Sequence, residues 1–172
     1  MRLGRMPRGF HDHGRIGSEK SGKQPPRVLA VSSGGGHWVQ LLRLIPAFAG
    51  CDVTYATVNH AYRVQVAGAP FRVINDATRW NRLGLLVMAL RLAWMILTER
   101  PGVIVSTGAA PGYFALRLGK YMGCRTVWID SIANAETMSL SGAKIRKYAD
   151  LWLTQWAHLE RPEGPWHMGA VL

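Results

Sequence analysis

Acidic residues are scarce in this 172-residue sequence, which holds 10 Asp and Glu against 21 Lys and Arg and carries a net charge of +11. The imbalance is greatest in residues 1–27, where seven basic and two acidic residues leave a net charge of +5. Such an excess indicates an anionic partner: a nucleic acid, a membrane surface or a phosphorylated substrate. The length allows one domain with a real core and is too short for two substantial ones.

Cysteine is also scarce, since only Cys51 and Cys124 occur. The N-terminus has no apolar secretory segment, so nothing indicates a disulfide scaffold or export. We therefore expect a cytoplasmic protein, and we expect no metal site and no cofactor.

The sequence lacks an apolar run long enough to cross a bilayer. The segment LGLLVMALRLAWMIL, residues 83–97, spans about 22 Å as a helix, short of the roughly 30 Å hydrocarbon core, and Arg91 interrupts it. Trp80 and Arg82 at one end and Trp94 near the other are typical of a helix lying in a membrane interface. Burial as a core helix is the alternative, and a helix can also bury one side and present the other to the membrane.

The usual signatures of a dinucleotide or ATP site are missing too. The turn SSGGGHW, residues 32–38, follows an apolar strand and opens a helix, but Val39 stands where G-x-G-x-x-G needs its third glycine, and there is no Walker lysine. No acidic residue ends the second strand, where Thr57, Val58 and Asn59 stand. A classical NAD site is therefore not expected.

What remains is a glycine turn suited to an anion. Gly34, Gly35 and Gly36 allow a sharp turn and close approach of a ligand, and the helix N-terminus offers free N–H groups. His37 follows directly, and it can act as a base, donate a hydrogen bond to a phosphate, or simply cap the turn. The sequence leaves these roles open.

Apolar runs alternate with helical patterns from Arg27 onward. Predicted strands lie at residues 27–33, 52–58, 71–76, 102–108, 125–131 and 150–156, and predicted helices at residues 37–48, 79–100 and 111–123. Short strands that lack polar alternation are typical of a parallel sheet covered on both faces. We predict an α/β fold, a single Rossmann-like doubly wound parallel sheet, over residues 27–172.

We predict that residues 1–26 form a disordered basic arm. The arm is interpreted either as a tether to anionic lipid headgroups or as a solvated tail, including a mis-assigned start of the chain.

Ligands of such sheets bind beyond the carboxyl ends of the strands. The turn STGAAPG, residues 106–112, repeats the glycine-bearing pattern after the fourth strand, and it is either part of an anion site or an ordinary tight turn. The stretch IDSIANAETMSLSG, residues 129–142, follows the fifth strand. Its polar side chains include Asp130, Ser131, Asn134 and Glu136. A carboxylate there can serve as a general base or bind a sugar, and solvated loop polarity is the alternative.

Five segments in this order resemble one protein family: SSGGGHWVQLL, STGAAPG, WIDSIANAETMSLSG, ADLWLTQW and the terminal GAVL. Over residues 27–172 the chain is similar to the acceptor-side, membrane-associated subunit of two-chain GT-B glycosyltransferases. That family includes the anchoring subunit of the eukaryotic dolichol-linked N-acetylglucosaminyltransferase and bacterial proteins of exopolysaccharide and capsule assembly. The resemblance implies the N-terminal half of a GT-B enzyme, with a separate protein supplying the nucleotide-sugar half.

The resemblance also implies roles for individual residues. The subunit would bind a polyprenyl-diphosphate-linked saccharide at the cytoplasmic face of the inner membrane and recruit a catalytic partner that uses a UDP-sugar. The implied catalytic residues are His37, Asp130 and Glu136. The implied acceptor and phosphate ligands are Ser33, Gly34, Gly35, Gly36, Thr107, Gly108, Ser131 and Asn134. Membrane contacts are expected at Trp80, Arg82, Arg91 and Trp94, and partner contacts at Trp156, Trp166, Val171 and Leu172.

The sequence departs from the family in its N-terminus and in one loop. Eukaryotic members carry an N-terminal transmembrane anchor, so here we expect attachment through the basic arm and the helix around Trp80 and Trp94. Asp130 stands where many relatives have glutamate, and Asn134 where many have arginine.

Two other functions stay open at this point. One is a basic nucleic-acid-binding protein, although no recognised motif supports it. The other is a self-sufficient small enzyme that binds a nucleotide sugar.

Overall fold

A computed structural model describes residues 24–77 and 80–171 of the chain. The predicted basic arm lies outside the described residues except for its last three positions, and Leu172 lies outside them as well. Within the described part the fold is one parallel sheet with helices on both faces, which confirms the predicted fold class.

The sheet has seven strands in the described part, all paired in parallel, in the order β3-β2-β1-β4-β5-β6-β7. The strands are β1 (Arg27–Val31), β2 (Asp52–Thr57), β3 (Phe71–Val73), β4 (Val103–Ser106), β5 (Arg125–Ile129), β6 (Leu151–Thr154) and β7 (Trp166–His167). The α-helices are α1 (Gly36–Arg43), α2 (Arg82–Glu99), α3 (Ala109–Tyr121) and α4 (Leu140–Ile145).

The structure differs from the predicted elements where local patterns are short. The helix predicted over residues 37–48 ends at Arg43 and continues as a 3-10 helix over Ile45–Phe48, because Pro46 has no N–H to continue the α-helical pattern. The helix α4 was not predicted, since its six residues are too few to show a helical period. The strand β7 at the edge of the sheet was also missed, because its two residues are too few to show an alternating pattern.

Neighbouring residues of β1 pack into different halves of the core. Leu29 joins the cluster that holds residues of α2, α3 and α4, whereas Ala30 joins the cluster that holds Trp38 and Leu41 of α1. Successive side chains of a strand point to opposite faces, so α1 covers one face of the sheet and the other three helices cover the opposite face. Burial on both faces explains why the strands show no polar alternation.

The helix α2 has one side buried in the core and one side exposed. Met88, Leu92, Met95 and Ile96 are buried in the core. The opposite side exposes a row of large apolar side chains, namely Leu83, Leu86, Val87, Leu90, Trp94 and Leu97, with Leu90 62% and Trp94 69% exposed. Among the described residues, no helix has both the length and the apolar character needed to span a bilayer.

Packing of α3 onto the sheet depends on a glycine. A Cβ at Gly112 would overlap the hydroxyl of Ser106 and lie 3.2 Å from the ring of Trp128. We expect Gly112→Ala to lower the free energy of unfolding by about 1–3 kcal/mol, because overpacking outweighs the gain of up to about 1 kcal/mol in helix propensity.

Urea denaturation of the purified chain measures this change. Gly36→Ala is the matched control, since Gly36 is also helical and a Cβ there meets nothing within 4 Å. Equal stability of the two variants would contradict the packing argument.

Candidate functional site

The candidate site lies at the carboxyl ends of β1 and β4, where the order in which strands are added to the sheet reverses. β1 and β4 are neighbours, and the strands that follow each of them are added on opposite sides. The connections that leave the carboxyl ends of these two strands therefore diverge and leave a crevice, the usual ligand position of an open α/β sheet. The two glycine turns, residues 33–36 and 107–108, lie at this crevice.

His37 and Thr107 join the two turns by a reciprocal pair of hydrogen bonds. Nδ1 of His37 lies 2.8 Å from the carbonyl oxygen of Thr107, and the hydroxyl of Thr107 donates to the carbonyl oxygen of His37 at 2.7 Å. A carbonyl only accepts, so Nδ1 carries the proton and the neutral ring keeps Nε2 as its acceptor nitrogen. Thr107 is fully buried and His37 is half-buried.

The pair leaves no room for a side chain at Gly108. Its φ of 135° lies in the region that favours glycine, and a Cβ would stand 2.5 Å from the His37 ring. Gly35 has a φ of 64° at the start of α1. The backbone conformation therefore requires glycine at both turns. At Gly108, the close approach of the His37 imidazole is a second reason.

The helices that begin at the crevice have uncapped N-termini. Neither α1, which follows Gly35, nor α3, which follows Gly108, has a side-chain cap or an acidic residue in its first turn. By contrast, Asn81 caps α2 and Ser139 caps α4 through side-chain oxygens. Free N–H groups and the positive end of the helix dipole favour an anion at the two uncapped ends.

Tyr62, which the sequence did not single out, supports the first glycine turn. Its phenol oxygen accepts a hydrogen bond from the N–H of Gly35 at 3.0 Å, and its ring stacks on Trp38 with the centroids 5.3 Å apart. Because Tyr62 follows the carboxyl end of β2, its position beside the neighbouring strand's turn was the signal that could have found it.

Asp130 is the most enclosed of the predicted catalytic residues. It is 1% exposed and accepts hydrogen bonds from Trp128 Nε1 at 3.1 Å, from Ser139 N at 2.8 Å and Oγ at 2.6 Å, and from Asn134 Nδ2 at 3.3 Å. These bonds tie the loop after β5 and the start of α4 to the sheet. A carboxylate so surrounded is a positioning group for this loop.

The other predicted residues of this loop are arranged around Asp130. Ser131 Oγ accepts from Gln40 Nε2 at 3.0 Å, which links the loop to α1 and so to the glycine turn. Glu136 is exposed and makes no hydrogen bond or ion pair with the described residues. The catalytic roles of His37, Asp130 and Glu136 stay predictions.

A buried glutamine pair, missed in the sequence, connects this loop to the C-terminal segment. Gln155 Nε2 donates to Gln40 Oε1 at 2.6 Å and to the carbonyl of Asp130 at 2.8 Å. Gln155 Oε1 accepts from the N–H of Val171 at 2.8 Å. Both glutamines are buried, so all of these groups have their partners inside the protein.

The predicted partner-contact residues lie on this C-terminal segment. Trp156 is half-buried and its Nε1 donates to the carbonyl of Ile132 at 2.8 Å. Trp166 is half-buried against the core, and Val171 packs on the face of the sheet that α1 also covers. The fourth predicted contact, Leu172, lies outside the described residues.

The predicted membrane contacts lie on or beside α2. Trp80, Arg82, Arg91 and Trp94 are all exposed.

In residues 24–77 and 80–171 no group of three or more His, Cys, Asp or Glu side chains is placed to hold a metal ion.

Replacement of Asp130 tests its positioning role. We expect Asp130→Asn to lower the free energy of unfolding by about 1–3 kcal/mol. Both carboxylate oxygens of Asp130 accept hydrogen bonds. Asparagine replaces one of them with an NH₂ group, which is a donor and therefore leaves at least one of the present donors without an acceptor. Glu136→Gln, in the same loop but exposed, should stay within about 0.5 kcal/mol of the unmodified chain. Urea denaturation measures both, and an equal effect would contradict the role assigned to Asp130.

Comparison with solved structures identifies the architecture. Acinetobacter baumannii MurG matches with a TM-score of 0.68 and 12% identity, over 85% of this chain and 46% of that one. UDP-N-acetylglucosamine 2-epimerase from Rickettsia bellii matches with a TM-score of 0.64 and 13% identity, over 81% and 41%. At these identities the likeness shows the fold alone. The chain spans less than half of either structure, and it shares with them the parallel α/β sheet found in GT-B glycosyltransferases and epimerases.

Comparison of the sequences identifies the family. Two curated relatives are both named UDP-N-acetylglucosamine transferase subunit ALG14. The protein of Eremothecium gossypii is 26% identical over 176 residues, which cover 83% of this chain and 79% of the relative. That of Yarrowia lipolytica is 24% identical over 151 residues, which cover 82% of this chain and 66% of the relative. The family described as oligosaccharide biosynthesis protein Alg14 like matches residues 72–171, and the chain belongs to that family.

Proposed function

We propose that this chain is the acceptor-binding subunit of a two-chain, UDP-sugar-dependent glycosyltransferase of polysaccharide or lipid-linked oligosaccharide biosynthesis. That it is a glycosyltransferase subunit follows from its family. The acceptor, a polyprenyl-diphosphate-linked saccharide, is the one that the family resemblance implies, and the geometry of the crevice supports a diphosphate there. The observation that carries this assignment is the pair of uncapped helix N-termini joined through His37 and Thr107.

The crevice suits a diphosphate group but not the ribose of a dinucleotide. Two helix ends, each without an acidic residue, offer two separate sets of N–H groups, and a diphosphate carries two anionic groups to occupy them. The acidic side chain that a dinucleotide ribose needs is missing after β2, where Val58 and Asn59 stand. In the proposal, Ser33–Gly36 bind one phosphate, and Thr107 and Gly108 lie beside the other.

The proposed reaction moves a sugar from a UDP-sugar to a hydroxyl of the acceptor. The acceptor oxygen bonds to the anomeric carbon, the bond from that carbon to UDP breaks, and a base removes the hydroxyl proton. His37 Nε2 and the exposed carboxylate of Glu136 are the candidates for that base. Asp130 holds the loop that carries Glu136, with Ser131 and Asn134 in the same hydrogen-bonded group.

The UDP-sugar half of the cleft is assigned to a separate catalytic subunit. The described domain corresponds to one half of a GT-B enzyme, and such an enzyme binds its two substrates between two halves. The C-terminal segment with Trp156, Trp166, Val171 and Leu172 is the proposed contact with this partner. Tryptophan is enriched in the energetic centres of protein interfaces.

The proposed site of membrane attachment is the exposed side of α2. Its apolar row is flanked by Trp80 and Arg82 at the N-terminal end, and Arg91 and Trp94 line an open groove of about 760 Å³ near the C-terminal end. Apolar side chains with tryptophan and arginine at the borders are typical of helices in an anionic membrane interface. The proposed location is the cytoplasmic face of the inner membrane, as a peripheral protein.

The reaction is tested with the tagged full chain, co-expressed with candidate nucleotide-sugar-binding proteins of the same host and purified from membranes. We expect UDP release with a polyprenyl-diphosphate acceptor only from the pair. His37→Ala should lower kcat/KM by about 10²-fold, as loss of one catalytic or anion-binding group does. His60→Ala, which removes an exposed histidine that makes no hydrogen bond to either glycine turn, is the control. Turnover by the chain alone, or none with any partner, would refute the proposal.

Membrane attachment is tested by flotation with phosphatidylglycerol vesicles. We expect Leu90→Asp to weaken binding about tenfold or more, because burying one leucine contributes roughly 1.5–3 kcal/mol. Val64→Asp is the matched control: Val64 is 79% exposed, lies outside α2, and its replacement lowers the net charge equally. Equal loss in both variants would show that charge alone drives binding and that α2 does not insert.

A further inference from the structure

An apolar cavity of about 310 Å³ lies between α2, α3 and α4. Its walls include Leu85 of α2, Ala110, Tyr113 and Phe114 of α3, and Leu140 and Lys144 of α4. The volume is at the lower end of the range of small-molecule sites, about 300–1,000 Å³. None of the roles proposed so far uses this cavity.

The cavity lies between the crevice and the exposed side of α2. Ala110 is two residues beyond Gly108, so the α3 wall begins about 3 Å along the helix axis from the turn that faces the phosphate. On the other side, Leu85 belongs to the same part of α2 as the exposed Leu83 and Leu86. An elongated molecule can therefore run from the apolar side of α2 through the cavity to the uncapped end of α3.

The charge at the cavity adds a second requirement for its occupant. Lys144 is the one charged residue among the lining residues, it is exposed, and it forms no ion pair with the described residues. The first turn of α3, which begins at the crevice, has no acidic residue. The occupant is thus apolar along its length and carries an anionic group.

We propose that this cavity binds the isoprene units next to the diphosphate of the acceptor's prenyl chain. The inference rests on the proposed function and extends it from the diphosphate to the lipid. A prenyl diphosphate has both required features, a branched apolar chain and an adjacent anionic group. Leu85, Phe114 and Leu140 cover the chain where it leaves the membrane, and Lys144 adds a positive charge to the wall of the cavity.

The test uses the full chain with methyl-labelled Ala and Leu and amide labelling, observed by NMR during titration with three soluble probes. The probes are farnesyl diphosphate, inorganic pyrophosphate and farnesol. We expect farnesyl diphosphate to bind at least tenfold more tightly than pyrophosphate. It should shift the methyl signals of Leu85, Ala110 and Leu140, as well as the amide signals of Gly34–Gly36 and Gly108. Pyrophosphate should shift only the amide signals.

Two variants tie the added affinity to the cavity. Leu140→Asp should remove the advantage of farnesyl diphosphate over pyrophosphate while leaving pyrophosphate binding nearly unchanged, and Lys144→Glu should weaken both probes. Val64→Asp is again the matched control, since Leu140 is 70% and Val64 79% exposed. The amide spectrum of each variant shows whether it is folded.

The outcomes separate this inference from the proposed function. Equal affinity for farnesyl diphosphate and pyrophosphate, or methyl shifts outside the cavity, would overturn the prenyl site and leave the diphosphate site standing. No amide shift at the glycine turns with either diphosphate would overturn both. Tight binding of farnesol that shifts the same methyl groups but needs no diphosphate would overturn the claim that the cavity and the crevice bind one ligand.

Discussion

The reciprocal hydrogen bonds between His37 and Thr107 are the constraint on which the crevice depends. They fix the two turns that leave the central strands, one at the start of α1 and one before α3. They bring the imidazole so close to Gly108 that a side chain there has no space. They also assign the proton to Nδ1, so that Nε2 is the acceptor nitrogen of the neutral ring. In the proposed complex, the same pair therefore sets the separation of two anion-binding helix ends and the orientation of a candidate base.

A second set of contacts connects this crevice to the rest of the domain. Gln40 lies one turn into α1 and bonds Ser131, Ile132 and Gln155. Through Gln155 the network reaches the N–H of Val171 in the C-terminal segment. Buried polar groups with all partners present hold their neighbours in one arrangement. If that segment is the partner contact, as proposed, the surface that meets the catalytic subunit and the loop that carries Glu136 are held by the same two amides.

Sequence patterns predicted the sheet, the main helices and the meeting of the two glycine turns, because each depends on local periodicity or on strand topology. The missed contacts join residues far apart in the chain: Gly35 and Tyr62 are 27 residues apart, Gln40 and Ser131 are 91, and Gln40 and Gln155 are 115. A polar residue within an apolar helix gives no sign of a partner that distant. The apolar pattern of α2 likewise could not distinguish core from interface, because both of its sides are apolar.

That double-sided character of α2 links the proposed parts of the site. A helix on the surface of a domain normally presents polar residues outward, whereas α2 exposes leucine, valine and tryptophan along its length. Contiguous exposed apolar surface indicates that something covers it. A membrane covers it in the proposal, and it brings the lipid end of the acceptor to the first turn of α2. From there the cavity, the end of α3 and the end of α1 follow in spatial order, as chain and diphosphate do in the acceptor. In the proposed complex, the saccharide then lies beside His37, on the side of the crevice away from α2, and the proposed catalytic subunit presents its UDP-sugar there.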